Sequence, residues 1–309
     1  MGVAVFLPLV LPLTALPIAR LAGHHLHPRA AARLLTAIAV AMAVSCAVSL
    51  VLLFVVGTAN IPGNPLPDSW SDPDVRDAVP FHREAGSGAI VALTAVVAAC
   101  ARTLLRERRV RSRARHALAA LPPGGPDPAV LPDPEPYAYA LPGPDGGRIV
   151  VSTAMLAGLA EDERAALLAH ERAHLTHRHH RHLLATRLAA CVNPFLRPLH
   201  RAVGYNTERW ADEEAAGAVG DRRLTARAVA RAALISRPAP AGLAAFAAPG
   251  PVPRRVAALL GPVPHSWPPA HSPAGLATMV AAAGTAASVL SALNAAAALL
   301  ILLKLTTPL

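Results

Sequence analysis

The 309 residues predict a mainly α protein in which several membrane-crossing helices carry an inserted α+β domain. Three observations lead there. The chain is 53% hydrophobic but only 16% charged, where a soluble domain is about a quarter charged. Long uncharged runs stand near both ends of the sequence. Between them lies a polar stretch with a helical His-Glu-x-x-His pattern and two short apolar segments around a glycine-rich turn. Such a composition excludes a disordered chain, a collagen and an ordinary soluble enzyme. Cys46, Cys100 and Cys191 are too few and too scattered for a disulfide framework or a thiolate cage.

Four apolar runs are read as spans. The first, at about 1–19, is interrupted by Pro8, Pro12 and Pro17 and has no basic leader, so it is expected to be retained and kinked. The second, 34–57, holds no charge and is long enough to cross about 30 Å of hydrocarbon. The third covers about 85–104 and the fourth lies in 272–309. This divides the chain into a membrane region 1–105, a polar domain 106–271 and a final span.

Loop charges set the orientation. Arg20, Arg29 and Arg33 follow the first span, and seven arginines from Arg102 to Arg115 follow the third. The loop 58–84 instead carries Asp68, Asp72, Asp74, Asp77 and Glu84 against Arg76 and Arg83. The N-terminus and that loop are therefore placed outside a cell membrane, and the polar domain in the cytoplasm. A net charge of +10 can suit nucleic acid, but arginines beside spans are explained more simply by an anionic bilayer face. No direct nucleic-acid partner is expected.

Within the polar domain, 121–136 reads as a Pro/Gly linker. Tyr137–Leu141 and Arg148–Ser152 read as a β-hairpin. Glu161, Asp162 and Glu163 suit the first turn of one helix continuing to about Leu184. Residues 183–196 read as a buried helix ending near Pro194, and 206–219 and 224–235 as further helices. The proline-rich stretch 237–271 reads as loose.

His170-Glu-Arg-Ala-His174 puts two imidazoles one turn apart on one helix face, where both can reach one metal ion. Glu171, beside the first of them, is placed as the general base. The composition gives only about 0.02 accidental matches to such a pattern. Glu208, on a second helix, completes a His₂Glu ligand set for one Zn²⁺, and Asp212, one turn on, can accept a ligand's ring N–H. The alternative is that Glu208, Asp212, Glu213 and Glu214 form a solvated acidic face. On an unbroken helix His177 shares the motif's face. His180 would be a metzincin ligand only if the chain turned at 177, which lacks the required glycine. His179 and His182 are placed on a basic face near the membrane.

The ordered set Tyr137-Ala-Tyr-Ala-Leu, Gly147-Arg-Ile-Val-Val-Ser-Thr153, His170-Glu-Arg-Ala-His174, Asn193-Pro-Phe and Glu208-Arg-Trp-Ala-Asp212 resembles the BlaR/MecR-type membrane zinc metallopeptidases. Over roughly 135–220 it is also similar to the HtpX-type and CAAX-prenyl-protein gluzincins. The resemblance implies a zincin-like metalloprotease domain with His170, His174 and Glu208 as zinc ligands, Glu171 as base and Asp212 behind them. It implies a metalloendopeptidase acting on a protein or peptide at the cytoplasmic face, with a transcriptional repressor as one substrate. The alternatives are an HtpX-like quality-control protease and a non-enzymatic His-rich metal-binding membrane protein. The family's acidic residue a few positions after the second histidine is replaced here by His177-Arg-His-His180. A penicillin-binding sensor segment is not expected after the last span, so the resemblance does not extend to antibiotic sensing.

Overall fold

The computed structural model describes residues 5–58, 80–119, 128–143, 146–236, 251–263 and 273–306. The N-terminal run is a broken helix made of α1 (Leu7–Val10), a 3₁₀ turn (Leu11–Thr14) and α2 (Ala15–His25). Its prolines withhold amide hydrogens from the helical ladder. The apolar part, Leu7–Arg20, is shorter than a bilayer-crossing helix needs. Then come α3 (Pro28–Thr58) and α4 (His82–Ala119). Two helical stretches, Pro28–Thr58 and His82–Arg113, are long and apolar enough to cross a membrane. The acidic part of the expected outer loop lies mostly in 59–79, outside the described residues.

α3 and α4 touch backbone to backbone. A Cβ on Gly57 would stand 2.5 Å from the carbonyl oxygen of Gly86, and a Cβ on Gly86 would stand 2.3 Å from Gly57 Cα. Only paired glycines allow that approach.

The sheet has three strands in the order β1–β3–β2, formed by β1 (Ala129–Leu131), β2 (Ala138–Leu141) and β3 (Arg148–Ser152). β2 and β3 make the expected antiparallel hairpin, with Tyr139 opposite Val150. Gly147 closes it at φ 89°, and a side chain there would meet the Leu141 carbonyl at 2.5 Å. β1 corrects the linker reading of 121–136. Ala129-Val-Leu131 pairs parallel to β3, and three residues amid prolines are too few to show strand alternation.

Helices follow: α5 (Thr153–Ala157), α6 (Glu161–Thr176), α7 (His179–Val192), α8 (Arg197–Val219), α9 (Arg222–Ile235), α10 (Val252–Leu260) and α11 (Pro273–Thr306). Ala160 has no side-chain acceptor, so α6 starts with half a capping box: the Glu163 carboxylate accepts the Ala160 amide at 3.0 Å. The expected single helix to Leu184 is in fact two. Arg178 at φ 52° is left-handed and separates α6 from α7. α8 begins nine residues before the expected 206, because Pro198 is compatible with a first helical turn. The loose reading of 237–271 is corrected at α10; residues 237–250 and 264–272 lie outside the description.

One core joins these parts. Leu35, Ile38, Ala39 and Met42 of α3 pack with Ala189 of α7 and with Leu199 and Val203 of α8. The middle of α8 is consequently buried all round, from Asn206 through Asp212. Polar side chains there must find partners inside the protein.

Candidate metal centre

α6 and α8 lie side by side and bring the two sequence patterns together. The Nε2 atoms of His170 and His174 are 3.1 Å apart. Glu208 places one carboxylate oxygen 3.5 Å from His170 Nε2 and the other 3.5 Å from His174 Nε2. A tetrahedral ion held at about 2.0–2.1 Å would separate its donors by about 3.3–3.4 Å. The three donors thus fit one cation, and among the described residues this is the cluster that could hold a metal ion.

Asp212 sits where its carboxylate meets the far side of the first imidazole. Its Oδ1 is 3.1 Å from His170 Nδ1, within ion-pair range but off the line of a straight hydrogen bond. The acidic residues Glu208 and Asp212 are 7% and 0% exposed, which disposes of a solvated acidic face for those two. Glu213 pairs with Arg209 and Arg222, and Glu214 accepts the Trp210 indole N–H.

Arg255, in the segment expected to be loose, completes this network from α10. Its guanidinium donates to both oxygens of Asp212, at 2.8 and 2.5 Å, and lies 3.0 Å from Glu208 Oε2. A lone arginine among 29 basic residues carries no sequence signal that points to such a place. The one available hint is the short amphipathic run Val252–Leu260.

Charge and burial set the protonation states of the metal-free site. Burial opposes charge on His170, but Asp212 and Glu208 outweigh it and raise its pKa to about 10. Burial lowers His174 to about 4. Burial would lift Glu208, but His174, His170 and Arg255 hold it at about 2. Burial likewise works against ionised Asp212, and the bond from Arg255 overrides it and keeps the carboxyl well below its usual range. Glu171 is pushed up, first by burial, while a backbone hydrogen bond from Ala140 works the other way.

A cleft opens on this cluster. Ala140 and Pro142 line it from the β2 side, Glu171, His174 and Glu208 form its floor, and Leu183, Leu184 and Arg187 come from α7. Glu107 of α4 also borders it, held by Arg111 at 3.1 Å.

The other histidines fall differently from the expectation. His177 is turned away by the chain break, with Nε2 3.1 Å from Glu214 and its ring 4.4 Å from Trp210. His179 is not on a membrane-facing surface; it is 1% exposed and touches His174. His182 meets Thr36 of α3 at 3.1 Å. His180 borders the cleft without joining the donor cluster. The chain does turn near 177, through Arg178 instead of a glycine, so the absence of a metzincin site rests on the donor geometry and not on a missing turn.

No curated protein and no solved structure matches the chain. A family model does match, that of peptidase family M48, over residues 104–192. That stretch holds both histidines and Glu171, while Glu208, Asp212 and Arg255 lie beyond it. From the end of its long apolar helix through α7, this chain is similar to the metallopeptidases of family M48.

Proposed function

We propose that the chain is an integral-membrane, zinc-dependent endopeptidase that cleaves proteins on the cytoplasmic side. The carrying observation is the tetrahedral spacing of His170, His174 and Glu208 beside a buried Glu171, at the bottom of a cleft bordered by a sheet edge. In this reading the three residues hold one Zn²⁺, and Asp212 steadies His170. When bound, zinc polarises a peptide carbonyl and acidifies water. Glu171 takes up a proton at its carboxylate and delivers it to the leaving amine; its raised pKa makes it the stronger base. Apart from the Ala140 amide held by Glu171, the edge of β2 away from β3 offers backbone groups to an extended peptide, and Leu183 and Leu184 offer it an apolar wall.

The membrane part of the proposal rests on α3 and α4. Val91 and Val97 of α4 are 71% and 60% exposed, as lipid-facing residues are. The arginine bias of the segments flanking the apolar runs supports a cytoplasmic cleft. The resemblance noted above offers a transcriptional repressor or damaged membrane proteins as substrates.

Purified protein in detergent should degrade casein, and a chelator should stop it. Glu171→Gln should keep zinc and lower the rate by at least about 100-fold; full activity in that variant refutes the mechanism. Trapping cellular proteins on it separates the two substrate readings. Glu208→Ala should lose its zinc, and an unchanged zinc content removes Glu208 from the ligand set.

A further inference from the structure

The side chain of His179 is buried against the metal centre, and its Nδ1 lies 3.0 Å from Nδ1 of His174. Two ring nitrogens that close share one proton, since two N–H groups would collide and two lone pairs would repel. The other nitrogen of His174, Nε2, faces His170 and Glu208. A nitrogen that binds a cation carries no proton. The single N–H of a neutral His174 is therefore on Nδ1, and it is donated to His179.

We propose that His179 is a positioning residue of the metal centre: it accepts the Nδ1–H of His174 and so fixes the tautomer and ring direction that aim Nε2 at the ion. The two histidine ligands then have unlike supports. His170 leans on the carboxylate of Asp212, and His174 leans on a neutral imidazole. The left-handed turn at Arg178 delivers His179, which lies five residues beyond His174. Trp210 backs it with ring centres 4.7 Å apart. The Nε2 of His179 is buried with no hydrogen-bond partner among the protein atoms. A buried polar atom left unmatched is a cost, so packing alone would favour an apolar ring at this position.

The proposal rests on the reading that His174 holds zinc through Nε2, and the test separates the two. The full chain in detergent is titrated with zinc against a chromogenic chelator, as wild type, His179→Phe and His179→Asn. Phenylalanine keeps the ring and removes the acceptor; asparagine keeps an acceptor where Nδ1 stood. The expected result is zinc binding weakened about 10–100-fold in His179→Phe and largely restored in His179→Asn. The metal-free melting temperature of His179→Phe should not fall, which a packing role would not predict. Nitrogen-15 spectra of the zinc-loaded wild type should show the His174 Nδ1–H coupled across a hydrogen bond to Nδ1 of His179. Wild type that binds no zinc overturns the metal reading and this proposal with it. Wild type that binds zinc, with equal affinity in His179→Phe or with no coupling between Nδ1 of His174 and Nδ1 of His179, overturns this proposal alone. The spectrum decides the matter even if a variant fails to fold.

Discussion

Arg255 is the residue on which the buried charges balance. Glu208 and Asp212 bring two carboxylates into one small space, and the guanidinium faces both. Removing one partner of a buried pair leaves the other charge without compensation, at about 3–5 kcal/mol. Arg255→Met should lower stability by about 3 kcal/mol in denaturant unfolding, and adding Asp212→Asn should recover part of that loss. Additive losses in the double variant would show that the two side chains do not act as a pair. The same site shows the limit of reading residues in one dimension. His170, Glu171 and His174 announce themselves by spacing, and Glu208 with Asp212 by a second i, i+4 pattern. Arg255 does not, because its role is fixed by the docking of α10 against α8 and not by its neighbours in sequence.

At the scale of elements, the hairpin and the helices α6 and α9 were legible from glycine, acidic first turns and apolar runs. The break between α6 and α7 was not. Thr176-His-Arg-His contains neither glycine nor proline, and a left-handed arginine survives there because the surrounding packing holds it. The strand β1 was hidden for another reason: it is stabilised by β3, which lies about twenty residues away. Tertiary contacts also govern the crossing of α3 and α4. Gly86→Leu should force these helices apart and destabilise the protein by about 1–3 kcal/mol, read as a lower melting temperature in detergent. A melting temperature equal to wild type would mean that the helices do not meet at Gly57.

For the molecule as a whole, buried histidines should dictate its acid response. Burial lowers His179 to about 2 and His180 to about 4, and it also lowers His200. Unfolding frees these rings to take protons near their ordinary value of 6.5. The folded state therefore binds fewer protons, and the stability from these groups is present above 6.5 and lost as pH falls below it. His170 acts in the opposite sense without metal. Its raised pKa contributes stability that is complete below 6.5 and fades as pH rises toward about 10. The zinc-loaded protein should hold its melting temperature above about pH 7 and lose it steadily toward about pH 5. A level profile across that range would show that these imidazoles are not buried in solution.

The unbroken run of α4 has a mechanical meaning. Its apolar portion and the carboxylate of Glu107 at the cleft's rim belong to one 38-residue rod. From Ala101 to Glu107 the axis advances only about 9 Å. A stiff rod cannot lean at one end and stay put at the other. If, as proposed, the apolar portion lies in lipid, the gap between Glu107 and α7 should track the thickness of the surrounding bilayer, so short-chain and long-chain lipids should present the same cleft with apertures of different width.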